Sequence, residues 1–314
     1  MIVPKPLILP KNPERPARKP KRMTIGIGML CQDGIIISAD TQATNPDGTT
    51  YDAVKVHSLK TANGLFGVAY SSEDANAAEM LIGDVLTDMK LIAPTSLQGV
   101  EDIVKSKMKE WEKTFHSVVS QSYTAFVLGA IVLGNPVHPE RIGLYYCEPP
   151  GKILRKTMEN SGGYVAIGGG CVVTDPLFRT LFGELVHPRI CLAQLSYLMY
   201  RAKKDCRGVC GGGTDAVLLR VDDSEPAWIT RKDFAWSEKK YGEALDEMLA
   251  HVTAKIMSRT GFDDKSRFLD FIDRKTVRGD FGLHGFVFCT RTGEMIREPE
   301  FQKMMDDPQK YLES

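Results

Sequence analysis

The chain has 314 residues, of which 43% are hydrophobic, and it carries 40 basic and 40 acidic side chains. This length and composition suit a globular protein with one large domain or two smaller ones. The balanced charge gives no net attraction for nucleic acid or an anionic membrane surface, and no apolar run is long enough to span a bilayer. Neither nucleic acid nor a membrane is therefore expected as a partner.

The cysteines indicate a reducing environment. The chain has seven, scattered along its length and in several cases set inside apolar runs, unlike the dense pairs of a small secreted domain. Residues 1–22 also lack the apolar stretch of a signal peptide, so we expect free thiols and a cytoplasmic location. The closest pair, Cys206 and Cys210, lacks the spacing and the second pair of a zinc site. Neither a metal nor another cofactor is expected.

The first predicted element follows an arm rich in Pro and Lys, which buries too little apolar surface to offset the entropy of ordering it. Apolar residues then alternate from Thr24 to Cys31, residues 32–34 have turn chemistry, and residues 35–39 form a buried strand, which together predict a hairpin. Further strands are predicted at Val54–Leu59, Leu65–Tyr70, Thr124–Leu133, Arg141–Cys147, Ile153–Thr157, Tyr164–Ile167 and Thr214–Val221, with a loop at 44–50.

Helical periodicity occurs in pairs between the groups of strands. The predicted helices are Ala75–Met89 and Leu97–Val119, then Asp175–Leu185 and Cys191–Lys204, then a single helix, Tyr241–Met257. This order predicts the α+β class, as a four-layer αββα sandwich of two stacked sheets between helix layers. We expect three parts: a flexible arm or propeptide at 1–23, the sandwich at 24–225, and a helical and irregular C-terminal extension at 226–314, which includes short apolar runs such as Gly285–Phe288.

Four residues in or beside the first four predicted strands carry a candidate site. Thr24 leads a strand, Asp40 stands in an Ala-Asp-x-x-Ala-Thr segment, Lys55 precedes an apolar residue, and Gly67 lies in an apolar-Gly-apolar run. Each alone also fits a structural role, such as a strand residue or a turn former. In this order, over about 24–221, they resemble the proteasome β-type and bacterial proteasome-like subunits of the 20S proteasome A and B family.

The resemblance implies an N-terminal-nucleophile hydrolase with Thr24 as its nucleophile. Threonine is a weak nucleophile at neutral pH, and a free α-amine on the same residue, with a pKa near 8, can take the hydroxyl proton. By the resemblance, Lys55 favours the deprotonated forms of the Thr24 hydroxyl and amine, and Asp40 fixes Lys55 in place. The Gly67 N–H is expected to bind the developing oxyanion.

The chain departs from the family pattern around this site. A free amine requires loss of residues 1–23, either by processing or by translation from Met23 followed by removal of that methionine; autolytic processing usually has glycine where Met23 stands. Two supporting serines of the family correspond to Gly169 and Cys210, whereas Asp205 is retained as a supporting carboxylate.

The resemblance predicts a threonine endopeptidase that hydrolyses peptides or unfolded protein within a homo-oligomeric ring, with an ATPase or regulator as a further partner. Two alternatives stay open: a non-catalytic, proteasome-like structural subunit that keeps its arm, and an amidohydrolase of the same class that acts on small amides. A phosphate site is not predicted, because the glycine runs 168–170 and 211–213 lack the ending of a P-loop.

Overall fold

The computed structural model describes residues 24–44, 49–119, 123–133, 141–182 and 185–260, and they form twelve strands and six helices. The strands are β1 (Ile25–Cys31), β2 (Gly34–Asp40), β3 (Gln42–Thr44), β4 (Thr50–Asp52), β5 (Val56–Lys60), β6 (Gly64–Ser72), β7 (Thr124–Val132), β8 (Ile142–Glu148), β9 (Lys152–Lys156), β10 (Tyr164–Gly168), β11 (Thr214–Arg220) and β12 (Ala227–Ile229). The helices are α1 (Ala75–Ile92), α2 (Leu97–Val119), α3 (Met158–Ser161), α4 (Cys171–Leu181), α5 (Pro188–Asp205) and α6 (Arg231–Thr260).

Two five-stranded sheets contain most of the strands. The first sheet has the order β10-β1-β2-β11-β12 and the second the order β5-β6-β7-β8-β9, and the pairs within both are antiparallel. In the first sheet, β1 pairs with β2 so that Gly26 lies opposite Ala39. The start of β1 and the end of β2 therefore lie side by side at one end of this sheet.

Strand residues alternate between the two faces of each sheet. In β2, Ile36 belongs to an apolar cluster with residues of α4 and α5, whereas Ile35 and Ile37 belong to a cluster shared with the second sheet. In β6, Phe66 and Val68 pack against α1 and α2. Each sheet thus has one face covered by helices and one face turned toward the other sheet. This is why the central strands, β2 in the first sheet and β7 in the second, are buried throughout.

The predicted α+β class is confirmed, and most predicted elements lie within a few residues of the observed ones. The small hairpin of β3 and β4 and the short strand β12 are absent from the prediction, since three-residue strands carry little periodicity. The prediction placed the helix α4 at Asp175–Leu185. The helix instead begins at Cys171, and Pro176 lies inside it.

The helix α6 packs on the first sheet's helical layer. Its side chains Phe234 and Leu245 are 0% and 4% exposed and join the apolar cluster of α5. The predicted boundary near residue 225 remains a prediction, and both the arm at 1–23 and the apolar run at 285–288 lie outside the described residues. Among the residues that the structure describes, no helix has both the length and the hydropathy needed to cross a membrane.

Glycine allows the two sheets to approach closely at Gly28. A Cβ at this position would lie 2.6 Å from Leu144 Cδ1 and 2.6 Å from Val127 Cγ1, both on the second sheet. Such distances are shorter than carbon atoms tolerate, so a larger residue must push the sheets or their side chains apart. Gly83 on α1 is the opposite case, because a Cβ there would meet nothing within 4 Å.

We expect Gly28→Ala to lower the free energy of unfolding by about 1–3 kcal/mol, because the added methyl overpacks the space between the sheets. The matched control Gly83→Ala adds the same methyl to an open helix surface and should raise stability by about 0.5–1 kcal/mol. Urea unfolding followed by circular dichroism measures both. Equal effects of the two substitutions would contradict the close approach at Gly28.

Candidate active site

Thr24 lies at the head of β1, enclosed by neighbouring strands, and is 7% exposed. The next residue, Ile25, pairs with Gly168 of β10. Gly168 has φ +85°, and a Cβ there would lie 1.9 Å from the Thr24 carbonyl oxygen. Only glycine fits both conditions, so Gly168 is what lets β10 lie against the Thr24 main chain.

Lys55 connects the second sheet to this end of the first. It lies just before β5, is 4% exposed, and its Nζ donates to Thr24 Oγ1 at 2.5 Å and to Asp40 Oδ1 at 3.1 Å. The third hydrogen bond goes to the carbonyl oxygen of Gln42. All three ammonium hydrogens therefore have acceptors, which holds the charge in one place.

Asp40 ends β2 with a fully buried carboxylate. Besides Lys55, its Oδ1 accepts the N–H of Ile25 at 3.2 Å, and its Oδ2 accepts the N–H of Gly211 at 2.9 Å. Gly211 opens the glycine-rich corner that leads into β11. Hydrogen bonds to a charged acceptor are the stronger kind, so Asp40 fixes the start of β1, the corner and Lys55 together.

Burial acts on both members of the ion pair. It lowers the pKa of the Lys55 ammonium and raises the pKa of the Asp40 carboxyl, because an interior of low polarity disfavours each charged form, while the attraction between the two charges opposes both shifts. Lys55 therefore gives up its proton at lower pH than a solvated lysine does. Its hydrogen bond to the Thr24 hydroxyl, at 2.5 Å, favours the deprotonated form of that hydroxyl.

Gly67 does not join this cluster. Lys55 O accepts the N–H of Tyr70, and Gly67 lies three residues before Tyr70 in β6, roughly 10 Å from it at the usual rise of a strand. A Cβ on Gly67 would face Val217 and Ile37 between the sheets. The apolar-Gly-apolar run thus marks a close approach of two sheets, and the structure gives Gly67 no contact with Thr24 for its expected role as oxyanion donor.

The three supporting residues have different positions. Cys210 is 3% exposed, its Sγ lies 3.0 Å from where a Cβ on Gly170 would stand, and burial raises the pKa of its thiol. Gly169 lies in the turn between β10 and α4. Asp205 ends α5 and pairs with Arg201 at 2.7 Å, one helical turn earlier. Cys210 is thus beside the cluster, whereas the described contact of Asp205 serves its own helix.

Sequence reasoning missed the main-chain groups of the site and one hydroxyl. The glycine run 211–213 predicts a corner, but nothing in it tells which carboxylate the Gly211 N–H meets. Nor does the sequence tell that the carbonyl oxygen of Gln42 accepts a hydrogen bond from Lys55. Ser71, at the end of β6, lies near Thr24 in space only because the two sheets stack. In the described part of the chain, no three His, Cys, Asp or Glu side chains gather as metal ligands would.

Comparisons with known proteins identify the fold. No family model matches the chain, and neither does any curated protein. Among solved structures, Anbu (ancestral beta-subunit) from Yersinia bercovieri matches with a TM-score of 0.60 at 14% identity, covering 72% of this chain and 97% of that one. Two others are an Anbu (Gly-1) mutant from Hyphomicrobium sp. strain MC1 (TM-score 0.56, 15% identity, 72% and 96% covered) and the helical assembly of the Anbu complex from Pseudomonas aeruginosa (0.57, 15%, 72% and 96%).

The predicted resemblance to proteasome β-type subunits is therefore wrong in its choice of family. The solved structures that match are Anbu proteins, and at this identity they show a shared fold and nothing more. The error has a physical origin. Residues at strand ends in a given order report how the strands are arranged, and related families can share that arrangement.

We expect Lys55→Met to lower the free energy of unfolding by about 3–5 kcal/mol, because it leaves the buried Asp40 carboxylate without its counter-charge. The double variant Lys55→Met/Asp40→Asn should recover much of this loss, since no buried charge remains. Lys60→Met is the control: its ion pair with Glu225 is exposed, so its loss should cost less than about 1 kcal/mol. Urea unfolding near neutral pH compares the three, and similar losses for Lys55→Met and Lys60→Met would contradict a buried, coupled pair.

Proposed function

We propose that the chain is a threonine-type N-terminal-nucleophile hydrolase that cleaves amide bonds in peptides, with Thr24 as the nucleophile. The observation that supports this most is the contact of 2.5 Å between Thr24 Oγ1 and the Nζ of Lys55, whose pKa burial lowers. A hydroxyl held against a perturbed amine, at the head of a strand and beside a fixed carboxylate, is the arrangement that nucleophilic catalysis requires.

The proposed reaction has two halves. The Thr24 hydroxyl gives its proton to the α-amine of the same residue, Oγ1 attacks the substrate carbonyl carbon, and the C–N bond breaks as the leaving amine takes up that proton. Water then attacks the resulting ester and restores the hydroxyl. Lys55 holds Oγ1 in position and favours its deprotonated form, while Asp40 holds Lys55.

We also propose a layer arrangement, an assembly, a cellular location and substrates for the chain. The helix-covered faces and the facing sheets support the four-layer αββα arrangement of this hydrolase class, and we propose 24–225 as that unit.

Homo-oligomeric assembly is supported by the solved neighbour described as a helical assembly. None of the six cysteines in the described part of the chain forms a disulfide, which supports action in the cytoplasm. Peptides or unfolded protein are the proposed substrates, with an ATPase or regulator as a further proposed partner.

One observation favours a second candidate, a non-catalytic subunit of a related assembly. Thr24 is only 7% exposed, and residues 1–23 precede it in the sequence, so the amine is free only after they are lost. In a chain that keeps this segment, Lys55 and Asp40 serve to join the two sheets. An amidohydrolase that acts on small amides is the alternative within the same chemistry, because the site residues do not set the size of the substrate.

We expect Thr24→Ala to lower peptide hydrolysis by at least about a thousandfold, since it removes the attacking atom, while the fold is retained. Thr24→Ser is the matched variant, because it keeps the hydroxyl and removes only a methyl, and it should retain measurable turnover. Release of amines from a mixed peptide library, together with hydrolysis of small amides, measures activity and separates the two substrate classes.

The mature N-terminus decides whether this test can succeed. Intact mass should be measured for protein made from Met1 and from Met23, and a chain that begins at Thr24 is the expected active form. Undiminished turnover in Thr24→Ala would rule out the proposed nucleophile. A retained segment before Thr24, with no turnover in the assembled protein, would favour the non-catalytic subunit.

A further inference from the structure

Ser71 faces the candidate site from the second sheet. It lies near the end of β6, whose residues alternate between two faces: Leu65 and Ala69 belong to the apolar cluster between the sheets, whereas Phe66 and Val68 pack against α1 and α2. Ser71 continues the first set in register. Its side chain therefore points toward the first sheet, at the end where β1 begins.

The Ser71 hydroxyl lies beside the Thr24 main chain. The point that a Cβ on Gly168 would occupy is 2.7 Å from Ser71 Oγ and 1.9 Å from the Thr24 carbonyl oxygen. Ser71 is 0% exposed, and its Oγ has no hydrogen-bond partner within the described residues. A buried hydroxyl in this state is unfavourable and is ordinarily explained by a group that binds it at some stage.

The burial limits what that group can be. Ser71 has no exposed surface in this chain, so the groups nearest to its hydroxyl belong to the protein itself. The Thr24 carbonyl oxygen is close, and the Thr24 nitrogen is bonded to the Cα that carries this carbonyl group. A released α-amine has two hydrogens and a lone pair to accommodate, and the Ser71 hydroxyl is an acceptor that has no partner among the described residues.

We propose that Ser71 is a positioning residue that binds the α-amine of Thr24 once Thr24 is the first residue of the chain. The inference deepens the proposed function and rests on it. The Ser71 hydroxyl oxygen accepts one N–H of the amine. The amine lone pair is then left to take the proton of Thr24 Oγ1, and the departing leaving group later receives that proton.

Ser71 supplies a hydroxyl near Thr24 that two neighbouring residues in the described part of the chain do not supply. Gly169 has no hydroxyl, and the thiol of Cys210 is a weak hydrogen-bonding group. An oxygen acceptor binds an ammonium more strongly than a neutral amine, so Ser71 holds the pKa of the Thr24 amine up. Among the described residues, the titratable groups at this end of the sheets include Asp40, Lys55, Tyr123, Cys171, Cys210 and Asp215. A serine variant leaves all of them in place.

The test measures that pKa directly. The protein is expressed as a fusion whose proteolytic removal leaves Thr24 first, so that all described residues are retained. Acetic anhydride then labels the amine at a series of pH values, and the mass of the N-terminal peptide gives the labelled fraction. We expect Ser71→Ala to move the midpoint of labelling about one pH unit lower, the size of one hydrogen bond to a charged group.

The control is Ser38→Ala. Ser38 is also a 0% exposed serine whose Oγ has no partner among the described residues, but it lies in β2 opposite Ile27, three residues along β1 from Thr24. It should leave the midpoint unchanged. If Ser71→Ala fails to fold, Ser71→Cys keeps the volume with a poorer acceptor and should shift the midpoint in the same direction.

The outcomes separate the two proposals. Equal midpoints in wild type, Ser71→Ala and Ser38→Ala would overturn the role of Ser71. A shifted midpoint in a protein that hydrolyses no amide would leave that role standing and contradict the proposed function. In an active protein, Ser71→Ala should also lower kcat about tenfold and move the acid limb of the kcat profile to lower pH, a change that a loss of stability alone does not produce.

Discussion

The ion pair between Lys55 and Asp40 is the interaction on which the rest of the site depends. Two charges are costly to bury, and they persist in a protein interior only when their hydrogen bonds are satisfied. Here the ammonium has three acceptors, and the carboxylate accepts main-chain N–H groups from Ile25 and Gly211 as well. Because Lys55 comes from the second sheet and Asp40 from the first, the pair also sets how the two sheets meet at the end where Thr24 lies.

Much of this arrangement could be predicted from the sequence. Alternation and turn residues predict the hairpin of β1 and β2, and a hairpin brings its two outer ends together, so Thr24 and Asp40 had to be neighbours. The role of Lys55 could be predicted only from the resemblance to a known family, since no local pattern tells which side chain crosses between sheets. Gly67 shows the limit of such patterns, because a glycine in an apolar strand can serve either a close sheet approach or a ligand.

The parts that could not be predicted all depend on tertiary contacts between distant segments. The N–H of Gly211 meets Asp40 only because β11 pairs with β2, and Ser71 meets the start of β1 only because the sheets stack. The similarity to Anbu structures agrees with this picture, since it extends over 72% of the chain at 14–15% identity. A fold can thus retain its strand order while most of its side chains differ.

The hydrogen bond from Gly211 to Asp40 also bears on the order in which the chain folds. Its two residues are 171 positions apart. The Asp40 carboxylate therefore has all of its hydrogen bonds only after nearly all of the two sheets has formed. Contacts of such long sequence separation form late, because the entropy of closing the intervening loop must be lost first. A partly synthesised or partly folded chain therefore has its threonine but no assembled site around it. Under the proposed function, chemistry at Thr24 therefore begins only once the two sheets have formed.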